Sequence, residues 1–218
     1  MALALFDLDN TLLNGDSDHS FGEFLCCHNL VDVKTFQKAN DRFYEDYKNG
    51  TLDIIAYQEF AISALKSLSP AQQKALHAQF MQDSIAKMMQ PKALSLIEHH
   101  KQQGDTCVII TATNSFVTKP IAQALHIEHL IATEPEVDGN GQFTGRIVGT
   151  PCFQEGKITK LNAWLKNTKE SLEGAFFYSD SYNDLPLLKV VANPVAVDAD
   201  EKLTQYAQAQ NWRIISLR

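Results

Sequence analysis

The stretch Phe6-Asp7-Leu8-Asp9-Asn10-Thr11 decides the fold of this chain. It closes the apolar run Ala2-Leu3-Ala4-Leu5-Phe6, which is typical of a strand buried on both faces of a parallel sheet. On an extended backbone the i, i+2 spacing places the Asp7 and Asp9 carboxylates on one side of the strand. Neighbouring carboxylates repel unless a cation lies between them, and ligands bind at the carboxyl ends of strands in open α/β sheets. The stretch predicts a metal-assisted acidic site; the alternative is an ordinary polar turn.

The composition of the 218 residues excludes several classes of protein. An apolar share of 44% with 21% charged residues is ordinary for a globular protein, and the net charge of −7 argues against a nucleic-acid-binding surface. No apolar run approaches the roughly 20 residues of a membrane span, and no cationic start precedes an apolar stretch, so we expect neither a membrane partner nor a signal peptide. The four cysteines form no C-x-x-C pair, which indicates reduced thiols and a cytoplasmic location. Oligomeric state is left open.

The order of helical and extended patterns predicts two structural units. From about Ser17 to Met89 the apolar residues follow helical spacing only, and this is too long for the crossover of a simple βαβ unit. We predict that residues 15–90 form a helical cap over the strand end, and that residues 1–14 and 91–218 form a Rossmann-like catalytic core.

After Pro91, apolar strands alternate with helices, which indicates a doubly wound parallel sheet with a small β-hairpin around residues 137–142. The further strands are predicted at residues 106–110, 128–132, 175–178, 194–197 and 213–215.

Three of the predicted strands end in reactive polar residues, and parallel strands bring those ends to one edge of the sheet. Carboxylates, a hydroxyl and an ammonium group together suit a Mg²⁺ site that holds a phosphate, because Mg²⁺ prefers carboxylate, water and phosphate oxygens. The residues concerned are Asp7, Asp9, Thr111, Lys157, Asp180 and Asp184.

Four segments resemble, in order and spacing, the motifs of the haloacid dehalogenase superfamily. They are Phe6 to Leu12, Ile110-Thr111-Ala112-Thr113, Gly156-Lys157 and Ser179-Asp180-Ser181-Tyr182-Asn183-Asp184. The resemblance covers nearly the whole chain, and four ordered motifs are far more specific than one. The helical insertion directly after the first motif is similar to the one found in the branch of the superfamily that contains phosphoserine phosphatase.

The resemblance implies a Mg²⁺-dependent phosphatase of small phosphorylated metabolites. It makes Asp7 the nucleophile that forms an aspartyl-phosphate, and Asp9 the acid that protonates the leaving alcohol and then activates water. Asp7, Asp9 through its backbone carbonyl, and Asp180 would bind Mg²⁺. Superfamily dehalogenases lack the second Asp, so the presence of Asp9 favours phosphate-ester chemistry.

The same resemblance implies how the phosphoryl group is held. Thr111 and Lys157 would bind its oxygens, and Asp184 would support the lysine and the metal. Further phosphate-binding positions are predicted at Ala112, Asn114 and Asn183.

The cap is expected to select the substrate, through Asp16, Asp18, Arg42 and Glu59. In phosphoserine phosphatases an arginine of the cap binds the substrate carboxylate. An ungapped comparison from Gly50 places the position of this arginine on Glu59. Asp16 stands where the family has an amine-binding carboxylate. A substrate that carries an amine and no carboxylate fits this pattern of cap residues better, and histidinol phosphate is such a substrate. Phosphoserine is the alternative, because a shift of the alignment through the cap would return Arg42 to the site.

Three other functions are compatible with parts of this pattern. A phospho-acceptor signalling module also gathers acidic residues, Thr and Lys around Mg²⁺, but its phosphorylated Asp ends a later strand and it has no large helical insertion. A non-catalytic binding protein could use the same fold, because fold does not imply function. A phosphotransferase would differ only in passing the phosphoryl group to a second alcohol instead of water.

Overall fold

A seven-stranded sheet forms the centre of the molecule, in a computed structural model that describes residues 2–218. In chain order the strands are β1 Leu3–Phe6, β2 Thr106–Asn114, β3 His129–Val137, β4 Phe143–Val148, β5 Phe176–Ser179, β6 Asn193–Val197 and β7 Arg213–Ile215. Their spatial order is β4-β3-β2-β1-β5-β6-β7, and all neighbours are parallel except β3 and β4. The predicted α/β class with a doubly wound, mainly parallel sheet is confirmed.

Helices cover both faces of this sheet, which is why its central strand is continuously apolar. The four residues of β1 are fully buried; Ala4 and Phe6 join one apolar cluster, and Leu3 and Leu5 join the other. No helix within residues 2–218 combines the length and apolarity needed to cross a membrane. In chain order the helices are α1 Ser17–Cys27, α2 Val33–Asn49, α3 Ile54–Ser63, α4 Pro70–Phe80, α5 Ala86–Met88, α6 Pro91–Gln102, α7 Ser115–Ala124, α8 Glu155–Leu165, α9 Leu185–Leu188 and α10 Glu201–Ala209.

The third strand is longer than the sequence predicts. It does not end at Ala132 but continues to Val137, where it leaves its parallel partner β2 and pairs antiparallel with β4. The polar stretch that follows Ala132 carries no apolar alternation, and its extended form depends on pairing with β4. The predicted turn is present, because the Asp138 carboxylate accepts hydrogen bonds from the backbone N–H groups of Asn140 and Gln142.

The helical segment between β1 and α6 leaves and returns to the sheet at one place. Leu13 and Met89 form an antiparallel bridge, and the backbone N of Asn14 donates to the carbonyl oxygen of Met88 at 2.8 Å. Buried aromatic residues of α1 and α4 share one apolar cluster with α7 and the sheet. The base of the segment is therefore packed on the core, while α2 and α3 contribute side chains to a cavity at the end of β1. The division into two domains remains a prediction.

Candidate active site

The two acidic residues after β1 face the same cavity. Asp7 has extended backbone angles (φ −66°, ψ 159°), and Asp9 is extended within the π-helical turn Leu8–Leu12 that follows. Both line the cavity, whereas Leu8 between them is fully buried in the apolar core. Asn10 then adopts φ 56°, a left-handed conformation that Asn tolerates better than most residues, and the chain turns away from the strand direction.

Lys157 lies between two carboxylates at the bottom of this cavity. Its Nζ donates to Asp7 Oδ1 at 2.8 Å and to a carboxylate oxygen of Asp184 at 2.7 Å, and the residue is 2% exposed. Burial lowers the pKa of Lys157, but Asp184 and Asp7 outweigh burial and raise the pKa above its ordinary value. The ammonium group therefore stays charged and available to an anion in the cavity.

Burial also raises the pKa of Asp7, to about 7. The charge of Lys157 opposes this rise and the charge of Asp184 adds to it. Because the charge of Lys157 does not offset the burial of Asp7, a second cation would be needed to keep Asp7 fully ionised at neutral pH.

Asp9 is oriented by two hydrogen bonds to its carboxylate. The backbone N of Ser17 donates to Oδ1 at 2.6 Å, and the Thr113 hydroxyl donates to Oδ2 at 2.7 Å. Burial, and then the charge of Asp16, raise the pKa of Asp9 to about 7. A carboxyl group with a pKa near neutrality can both give and take a proton at physiological pH.

The predicted phosphate-binding residues do not all reach the cavity. Thr111 is buried and lines it, as does Ala112, whose carbonyl oxygen accepts from the amide of Gln58. The prediction for Asn114 is corrected: its Oδ1 accepts from the backbone N of Val117 and caps α7, and it does not line the cavity.

The prediction that Asn183 binds phosphate is also corrected. Its Nδ2 donates to the carbonyl oxygen of Tyr47 at 3.2 Å, and its Oδ1 accepts from Gln154. It lines a neighbouring groove rather than this cavity, so the residue joins α2 to the core.

Asp180 and Asp184 follow β5 with different surroundings. Asp184 accepts hydrogen bonds from Lys157 and from the Ser179 hydroxyl at 2.7 Å, so it positions the lysine. Asp180 Oδ1 accepts from the Thr11 hydroxyl at 3.0 Å, and the residue opens toward the groove that also contains Asn10. Burial, and then repulsion from Asp7, raise the pKa of Asp180 well above its ordinary value.

These surroundings bear on the predicted Mg²⁺ site. Within residues 2–218, no three His, Cys, Asp or Glu side chains are grouped as metal ligands. The predicted set contains only two carboxylates, Asp7 and Asp180, together with the backbone carbonyl of Asp9. Burial raises the pKa of both carboxylates, and the charge of Asp7 adds to the rise at Asp180. Hard oxygen donors completed by water and phosphate suit Mg²⁺. The donor chemistry therefore fits the ion.

The predicted specificity residues of the cap divide into two groups. Asp16 and Asp18 line the cavity. Arg42 is exposed with its guanidinium 4.8 Å from the centre of the Phe43 ring, and Glu59 is exposed on α3. Neither lines the cavity, so the predictions for Arg42 and Glu59 are corrected.

Gln58, which the sequence analysis missed, takes the place expected for Glu59. It is fully buried, lines the cavity and donates to Asp18 and to the Ala112 carbonyl. Helical periodicity could have identified Gln58 as the cavity residue. Gln58 lies one turn after Ile54 on the buried face of α3, and Glu59 lies well off that face. Thr113 was also missed, although it stands two residues after Thr111 on one strand, the spacing that paired Asp7 with Asp9.

A glycine fixes the approach of Lys157 to the cavity. A Cβ atom on Gly156 would lie 2.0 Å from the carbonyl oxygen of Pro151, so no larger residue fits without moving the backbone. We expect Gly156→Ala to lower the free energy of unfolding in urea by about 1–3 kcal/mol through overpacking. Gly139→Ala is the matched control, because a Cβ there would meet nothing within 4 Å. Equal stability of the two variants would contradict the close approach.

Fold and site together define an α/β phosphatase: an acidic pair ends the central strand, and a buried lysine lies beside it. The chain belongs to the haloacid dehalogenase-like hydrolases, since the model of that family matches residues 4–189. This confirms the family that the four motifs predicted.

Two curated relatives cover the chain almost completely. A histidinol-phosphatase from Neisseria meningitidis serogroup C (strain 8013) is 40% identical over 219 residues, which are 99% of this chain and 99% of the relative. Phosphoserine phosphatase SerB1 from Mycobacterium tuberculosis (strain ATCC 25618 / H37Rv) is 31% identical over 220 residues, 100% of this chain and 71% of the relative. Among solved structures, a protein of unknown function from Bordetella pertussis Tohama I has a TM-score of 0.93 and 42% identity, with coverage of 100% and 99%.

Proposed function

We propose that this phosphatase hydrolyses histidinol phosphate through an aspartyl-phosphate on Asp7, with Mg²⁺ as its cofactor. The observation that carries the choice of substrate is the charge of the cavity: Asp16 and Asp18 line it, and no arginine within residues 2–218 does. A substrate carboxylate would meet like charges there, whereas an ammonium group would be attracted. The relative named histidinol-phosphatase supports the same substrate.

In the first step Asp7 attacks phosphorus while the bond to the substrate oxygen breaks. The Lys157 ammonium and the Thr111 hydroxyl hold the phosphoryl oxygens, and the Asp9 carboxyl gives its proton to the leaving alkoxide. The hydrogen bonds from Ser17 and Thr113 keep Asp9 in place for this transfer.

In the second step Asp9, now a carboxylate, takes a proton from a water molecule that attacks the phosphoryl group on Asp7. The bond between Asp7 and phosphorus breaks, inorganic phosphate leaves, and both carboxyl groups return to their starting states. Asp7, Asp180 and the Asp9 carbonyl would hold Mg²⁺, which when bound neutralises charge on the phosphoryl oxygens.

The substrate preference can be measured directly. With Mg²⁺ present, we expect kcat/KM for histidinol phosphate to exceed that for phosphoserine and p-nitrophenyl phosphate by a hundredfold or more, about 2.7 kcal/mol of transition-state discrimination. Asp7→Asn serves as the blank for contaminating activity. Preference for phosphoserine, or similar rates on all three substrates, would contradict the proposed substrate while leaving the phosphatase class intact.

A further inference from the structure

We infer that Asp18 and Gln58 form a second recognition subsite, separate from Asp16, which accepts an N–H group of a planar ring on the substrate. The inference rests on the proposed function and deepens it: in histidinol phosphate the ring is an imidazole. Asp16 would then be left to bind the ammonium group.

Two buried acceptor atoms lead to this subsite. Gln58 Nε2 donates to Asp18 Oδ2 at 3.2 Å and to the Ala112 carbonyl at 3.3 Å, and these two acceptors fix the orientation of the amide. The other oxygens, Asp18 Oδ1 and Gln58 Oε1, are buried, and within residues 2–218 neither has a hydrogen-bond partner. Asp18 is 7% exposed and Gln58 is 0% exposed, and both residues line the catalytic cavity.

The chemistry of the missing partner follows from these atoms. A buried acceptor without a partner costs folding free energy, so two of them on adjacent side chains in a ligand cavity indicate that a ligand completes them. Gln58 Oε1 can only accept a hydrogen bond, and Asp18 Oδ1 accepts one when its carboxyl group is ionised, so the ligand supplies N–H or O–H groups. Burial raises the pKa of Asp18 well above its ordinary value, so a donor that carries positive charge fits best, because it favours the ionised carboxylate.

The walls of the cavity indicate a flat ligand group. Phe43 and Tyr57 approach with ring centres 5.3 Å apart, and both line the cavity together with Tyr44. Aromatic walls favour a ring that can stack or make edge contacts, and they favour it more when the ring is cationic. An imidazole ring offers the flat shape and N–H groups that these walls and acceptors require.

Asp16 is better placed for the ammonium group. It lines the same cavity and directly precedes Ser17, whose backbone N donates to the Asp9 carboxyl that would face the scissile oxygen. In histidinol phosphate the amine is on the carbon next to the ester carbon, and the ring is attached one carbon further away. Two acidic residues with different neighbours, Asp16 next to the residue that bonds Asp9 and Asp18 beside Gln58, therefore match the two nitrogen groups of this substrate.

The test compares substrates with and without the ring. Histidinol phosphate carries amine and imidazole, phosphoethanolamine carries only the amine, and p-nitrophenyl phosphate carries neither the amine nor the imidazole. Asp18→Asn removes the charge at nearly constant shape, and Gln58→Met removes the amide at similar volume. Glu59→Gln is the matched control, because this neighbour on α3 is exposed outside the cavity.

We expect each subsite variant to lower kcat/KM for histidinol phosphate at least tenfold and that for phosphoethanolamine less than threefold. The inhibition constant of the product histidinol should rise in parallel, which reports binding without turnover. Equal losses on both substrates, or no loss on either, would overturn the subsite. If the wild type itself does not prefer histidinol phosphate to phosphoethanolamine, the proposed substrate fails, and the subsite fails with it.

Discussion

Asp7→Asn is expected to lower kcat by at least about 10⁴-fold, which corresponds to about 5 kcal/mol of the activation barrier. The asparagine amide lacks the nucleophilic carboxylate, so the first phosphoryl transfer cannot take place. Lys157 retains Asp184 as a partner, and the phosphate-binding group is therefore preserved. The measurement is steady-state kcat on p-nitrophenyl phosphate and histidinol phosphate, with Glu59→Gln as the control of unchanged activity.

The stability of the same variant separates a lost nucleophile from a damaged fold. Burial raises the pKa of Asp7 from 3.8 to about 7 in the folded protein, so ionisation of Asp7 reduces wild-type stability as the pH rises through this range. Asparagine does not ionise. In EDTA buffer, the free energy of unfolding of Asp7→Asn should rise relative to wild type between pH 4 and 7. A variant that unfolds at every pH, or one that retains more than a hundredth of wild-type kcat, would contradict the assigned role.

Lys157→Met is expected to remove activity and to destabilise the fold by about 3–5 kcal/mol, the cost of breaking a buried ion pair. The substitution leaves Asp7 and Asp184 buried without the ammonium group that now contacts both at 2.7–2.8 Å. Asp7, whose pKa burial already raises against the opposing charge of Lys157, would bind a proton still more tightly in the folded than in the unfolded state. Stability of the variant should consequently be greatest at low pH and decrease toward pH 8, as urea unfolding at several pH values would show.

Lys160→Met provides the matched control for that experiment. Lys160 begins the next turn of α8, is half-buried, and lies outside the cavity. We expect this variant to change stability by less than about 0.5 kcal/mol, as is usual for substitutions away from buried networks. Similar effects of the two substitutions would mean that Lys157 acts as a packing residue and not as the charge that holds Asp7.

The central residues of the site could be predicted from the sequence because short-range patterns determine where they lie. Asp7 and Asp9 follow a continuously apolar strand, and an i, i+2 spacing on extended backbone determines which side chains share a face. The edge of a parallel sheet then brings strand ends such as Asp7 and Thr111 together whatever the loops do. Asn114 lies outside the cavity for a local reason, since its Oδ1 caps the helix that begins at Ser115.

The site residues of the cap were harder to predict from the sequence, because they depend on how the helices rotate and pack. A comparison without gaps assigned the specificity position to Glu59, whereas the rotation of α3 buries Gln58 and exposes Glu59. A difference of one residue turns a side chain by about 100° around a helix axis, from the 3.6 residues per turn. The bond between Asn183 and the Tyr47 carbonyl joins residues 136 positions apart, and no local pattern predicts such a contact.

The sequence by itself determined the α/β class, the acidic pair after the first strand, the family and the phosphatase chemistry. Each depends on short-range periodicity or on motifs whose spacing is set along one strand or helix. Only the tertiary structure decided which cap residues line the cavity, that β3 continues into the hairpin, and that Asp18 and Gln58 keep unpaired acceptors. Those features arise where separate elements meet, because burial and hydrogen bonding there depend on the distance and rotation of whole helices rather than on neighbours in the chain.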